Sequence, residues 1–112
     1  MALATDDRAG LKSPQSKKTQ LLLKAAIVRH KKLEFEAAKL IYEEVQKSDP
    51  GNVMSWQLSG LLCCQMEDYE KSIELLSRAI ALEPVHEDSH YHRAISYQEL
   101  GYLEQSFDDY SS

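Results

Sequence analysis

Glycine and proline are scarce in this 112-residue chain, four and three in number. That is too little turn chemistry for an all-β fold, which reverses direction about every 8–12 residues. Long apolar runs are missing as well. The nearest candidate, Leu21-Leu22-Leu23, is followed at once by Lys24, whereas a bilayer-spanning helix takes ~20 apolar residues. Cysteine is confined to the neighbours Cys63 and Cys64; adjacent helical side chains diverge, so no bond between them is expected and both read as free thiols. Cations are in the minority, 13 against 18 carboxylates for a net charge of -5, which argues against a protein that coats nucleic acid through many phosphate contacts. Residues Met1 to Ser16 lack the basic start, apolar centre and small-residue cleavage site of a secretion leader. A reducing, cytoplasmic location is the expectation. No Gly-rich phosphate loop, nucleophile elbow or Ser, His, Asp constellation can be assembled, so neither an enzyme nor a cofactor is expected.

What the chain does contain is helix-forming residues, with 43% hydrophobic content to fill one small core. It also contains a period. Asp49-Pro50 and Glu83-Pro84 recur at a spacing of 34 residues, and at that spacing Leu22, Trp56 and His90 align, as do Ala26, Gly60 and Ala94, then Phe35, Tyr69 and Leu103. The columns continue with Ala38, Ser72 and Ser106, and with Tyr42, Leu76 and Tyr110. Small residues let two antiparallel helices approach closely, and the large ones beside them supply apolar area that a lone hairpin could not hide. Proline ends each second helix, because it disfavours helical geometry at the residue before it. Helices are expected at about 17–31, 34–48, 53–66, 69–82, 87–99 and 103–110, after a flexible, polar tail over residues 1–16. Ser13-Pro14 within that tail has the form of a proline-directed phosphorylation site, though so common a dipeptide carries little weight.

The middle unit, Asn52 to Pro84, resembles a tetratricopeptide repeat. Trp56, Gly60, Ala79 and Pro84 match that family's pattern; Leu76 stands for an aromatic and Ser72 for a small residue, while Ser59 and Cys63 depart from it. The first unit keeps Phe35, Ala38, Tyr42 and Pro50, and the third keeps Tyr97, Leu100 and Gly101. The resemblance implies an all-α, right-handed solenoid of antiparallel hairpins over residues 17–112, with repeats at about 19–50, 53–84 and 87–112, the last incomplete. The unfinished third unit implies either a piece or short isoform of a longer array, or self-association through the open C-terminal end.

The family's first helices line a concave groove, so the resemblance also implies a protein-interaction scaffold that holds a partner's peptide or helix. Its expected lining is Leu23, Lys24, Ile27 and Lys31, then Met54, Gln57, Leu58, Leu61 and Gln65, then Asp88, Tyr91, His92 and Ile95, flanked by Gln20 and Glu99. Some members clamp chaperone C-terminal carboxylates with Lys, Asn and Arg. The matching positions here are Leu23, Ile27, Leu58, Asp88 and His92, none a fixed cation, so no chaperone tail is expected to bind. A segment of a larger transport or ciliary assembly is the alternative role. His86, His90 and His92 are the remaining metal-like cluster. His86 and His90 share a helical face, but His92 turns away, so a metal or enzymatic role is the weakest reading and no metal is expected. The acidic pairs Glu43-Glu44, Glu67-Asp68, Glu87-Asp88 and Asp108-Asp109 read mostly as solvated faces and helix starts.

Overall fold

The computed structural model describes residues 16–112; the expected tail over 1–15, with Ser13-Pro14, lies outside the described residues. Six helices run in chain order: α1 Lys17–Lys31, α2 Phe35–Ser48, α3 Val53–Gln65, α4 Tyr69–Leu82, α5 Glu87–Glu99 and α6 Leu103–Tyr110. Expected and observed ends agree within a residue, and among the described residues there is no strand. Ser16, placed in the tail by its sequence, instead caps α1, its hydroxyl accepting from the Thr19 amide at 3.0 Å. The helices pair as hairpins α1–α2, α3–α4 and α5–α6, and each hairpin packs on the next through α2–α3 and α4–α5, with α3 also touching α5.

The 34-residue period is built in hydrogen bonds as well as in side-chain size. The Trp56 indole N–H donates to the Pro50 carbonyl at 2.8 Å, and His90 Nε2 meets the Pro84 carbonyl at the same distance. Ser72 donates to the Gly60 carbonyl at 2.8 Å, and Ser106 to the Ala94 carbonyl at 2.9 Å. Asn52 caps α3 by accepting from the Ser55 amide, and His86 caps α5 by accepting from the Ser89 amide. A further column is not marked by residue type: Leu33, Glu67 and Gly101 each adopt a left-handed φ, of 64°, 63° and 84°. Each follows a first helix, and the next amide in turn donates back five residues, Glu34 to Arg29, Asp68 to Cys63 and Tyr102 to Tyr97. This is the Schellman closure, which turns the chain into the second helix while satisfying terminal carbonyls.

A buried cluster joins Leu23 and Ala26 of α1, Ala38, Tyr42 and Val45 of α2, and Leu62 of α3. At the α3–α4 crossing, a Cβ on Gly60 would stand 2.5 Å from the Leu76 side chain, so that column tolerates only hydrogen in the middle unit. Burial falls toward the chain's end. Tyr42 and Leu76 are fully buried, but Tyr110, in the same column, is exposed, as are Leu103 and Phe107 of α6.

Candidate partner-binding groove

The first helices of the three units, α1, α3 and α5, flank a cavity of about 310 Å³. Seven of the expected groove residues line it: Ile27, Met54, Gln57, Leu58, Leu61, Asp88 and His92, joined by Leu76, Ser89 and His86. Ile27, Leu58, Leu61 and His92 are half-buried and Met54 is exposed, so the floor is apolar and accessible. Polar chemistry gathers at the α5 side, where Asp88, His86 and His92 stand.

The other expected positions are disposed differently. Leu23 belongs to the buried core with Leu62 and Tyr42, and so presents almost no surface. Lys24 and Lys31 are exposed on α1, outside the cavity lining. The Gln65 amide oxygen meets His30 Nε2 at 2.7 Å, while His30 Nδ1 meets the Tyr42 hydroxyl at 2.9 Å. His30 thus ties the first unit to the second, a role its sequence context did not suggest. Burial raises the Tyr42 phenol to about 12, so it stays protonated in this contact. Tyr91 is exposed and stacks edgewise on His92 and Tyr110, and Ile95 is half-buried.

The three histidines serve separate purposes. His86 lies just before α5 as its cap, and for that reason shares the groove wall with His92 despite the helical spacing that would separate them. His90 turns to the opposite side, with Nδ1 at 3.2 Å from Asp109 and Nε2 on the Pro84 carbonyl. Among the described residues no group of three His, Cys, Asp or Glu side chains is arranged to hold a metal ion.

Asp109 corrects the reading of its acidic pair as solvated. It is buried, and accepts a bidentate bond from Arg93 at 2.7 and 2.8 Å, while Arg93 also donates to Ser77. Burial pushes the Asp109 carboxyl up, but the bonds and charges of Arg93 and His90 outweigh it and hold the group below the ordinary carboxylate range. This cluster binds α6 to both α5 and α4. Cys63 is buried and Cys64 half-buried, both reduced; burial lifts the Cys63 thiol to about 11, too high for a reactive thiolate.

Residues 60–101 match the family model described as TPR repeat. The six helices have the fold of a tetratricopeptide-repeat array. Among solved structures, the first TPR of Spaghetti (RPAP3) bound to the HSP90 peptide SRMEEVD is similar at a TM-score of 0.83 and 18% identity, over 87% of this chain and 77% of that one. The second TPR of the same protein, bound to the same peptide, gives 0.82 and 17%, over 85% and 88%. The translocator chaperone SycD of Yersinia enterocolitica gives 0.80 and 15%, over 85% and 72%. A MamA structure gives 0.80 and 19%, and there the chain spans 52%, about half, of the other's length. Such identities establish a shared tetratricopeptide fold. No curated protein matches the sequence. Among the described residues no helix is long and apolar enough to cross a membrane.

Proposed function

We propose that this chain is a cytoplasmic, non-catalytic adaptor that holds an apolar peptide or helix of a partner protein in the groove of its first helices. The observation that carries this reading is the accessible apolar floor, Ile27, Met54, Leu58 and Leu61, bordered on one side by Asp88 and His92. A helix or extended segment laid in such a floor buries its apolar side chains at about 25 cal/mol per Å². Lys24 and Lys31 on α1 and Asp88 on α5 would orient it by favouring a negative end beside the first unit and a positive end beside the third. The same side chains argue against a chaperone carboxylate. Of the clamp positions, Leu23 is buried, Ile27 and Leu58 are apolar, and Asp88 repels an anion. Affinity capture with the native chain and with Leu58→Asp and Leu61→Asp tests the groove. Loss of specific partners from both variants, with helicity retained, is expected; an unchanged partner set would refute the assignment.

A second reading, membership of a larger assembly or self-pairing, is favoured by the exposed apolar side chains of the last hairpin. Leu103 and Phe107 are 66% and 69% exposed, beside Tyr91 and Tyr110. Light scattering over a range of concentrations decides self-pairing: a rising mass abolished by Phe107→Asp supports it, and a constant monomer mass removes it.

A further inference from the structure

On the side away from the groove's lining, α2, α3 and α4 enclose a crevice of about 410 Å³ whose charge runs against that of the chain. Lys39 and Lys47 line it from α2, Lys71 and Arg78 from α4, against the carboxylates of Glu43 and Glu74. Four cations to two carboxylates reverses the overall balance of 13 to 18. Lys71 is paired with Glu74 at 3.5 Å, but Lys39 and Lys47 have no carboxylate partner among the described residues. Arg78 lies over the Trp56 ring at 4.7 Å. Stacking occupies a guanidinium's face and leaves its N–H edge free to fork onto a carboxylate.

We propose that this crevice is a second binding site, taking an acidic, extended peptide segment of a protein partner. The spacing of the cations selects that ligand over a single small anion. Lys39 and Lys47 are eight residues apart on one helix, about 12 Å, and Lys71 and Arg78 seven apart on another, about 10 Å, at the rise of an α-helix. Two basic rows of that length accompany about four residues of extended chain, at roughly 3.3 Å each, whereas one phosphate would need its donors converged on a point. Nucleic acid of any length would meet the repulsion of the remaining, strongly acidic surface. The crevice is separate from the groove, so the chain would carry two partners at once.

Trp56, the only tryptophan, forms the wall and reports occupancy directly. Titration with hexaglutamate should give a saturable change in its emission that weakens as salt rises, and hexalysine should give none. Lys39→Gln with Lys47→Gln should weaken binding at least tenfold, with unchanged circular dichroism. Lys17→Glu with Lys18→Glu, which alters net charge elsewhere, should not. Leu61→Asp should retain hexaglutamate binding, separating this site from the groove. A flat titration, or equal binding by the Lys39, Lys47 variant, overturns the site. A response to pyrophosphate as strong as that to hexaglutamate overturns the peptide assignment.

Discussion

Leu33 and Glu67 occupy a backbone conformation that costs an L-residue roughly 1–2 kcal/mol, while Gly101 occupies the equivalent position without that cost. Leu33 is 72% exposed and has little packing to lose. Leu33→Gly should therefore stabilise the fold by about 0.5–1 kcal/mol, once the extra chain entropy of glycine is subtracted, and raise Tm by a few degrees in calorimetry. Gly101→Ala should do the reverse. Asp109 gives a second residue-scale expectation. Its carboxyl titrates lower in the folded than in the unfolded chain, so its pairing contributes fully above about pH 5 and is lost as pH falls through the folded value. Asp109→Asn should cost about 2–3 kcal/mol at neutral pH and flatten the acid limb of the stability profile below about pH 4, measured by urea titration. Neither feature was legible in the sequence. A left-handed site is announced by glycine, which only one of three copies carries, and the burial of Asp109 depends on Arg93, sixteen residues earlier, reaching it across a hairpin.

Between elements, the decisive distance is the approach of α3 to α4. Alanine at position 60 would gain about 1 kcal/mol of helix propensity, but its Cβ would meet Leu76 Cγ and Cδ2 at 2.5 Å and the Leu76 backbone nitrogen at 3.3 Å. Overpacking costs about 1–3 kcal/mol, so Gly60→Ala should be a net destabilisation of about 1 kcal/mol, read as a lower urea midpoint at unchanged slope. The neighbouring relay leads the same way: Ser96 donates to Ser72, which donates to the Gly60 carbonyl, joining α5, α4 and α3. Element existence and ends were fully legible here, because small, large and proline positions repeat at one spacing. The groove was legible in part. Helical phase brought Ile27, Met54, Leu58, Leu61 and His92 to one cavity, but phase alone does not distinguish Leu23, which packing with Leu62 of the next unit draws into the core.

At the scale of the whole molecule, the proposed groove predicts that shared fold and shared ligand separate. The Spaghetti domains were solved with SRMEEVD; in the groove proposed above, Ile27, Leu58 and Asp88 would stand where a carboxylate needs fixed cations. Calorimetry with SRMEEVD should show no binding, and micromolar affinity would disprove the prediction. The repeated bond from ring nitrogen to proline carbonyl, Trp56 to Pro50 and His90 to Pro84, acts as a standard coupling between one unit and the next. A tandem duplication of residues 52–85 would present each new tryptophan with a proline carbonyl already in place. An insertion between Pro50 and Trp56, or between Pro84 and His90, would take the ring away from its carbonyl. The molecule can therefore lengthen in whole units, each adding groove but not the basic crevice, because Lys39 and Lys47 give way to Ile73 and Ala81 at the same places in the repeat.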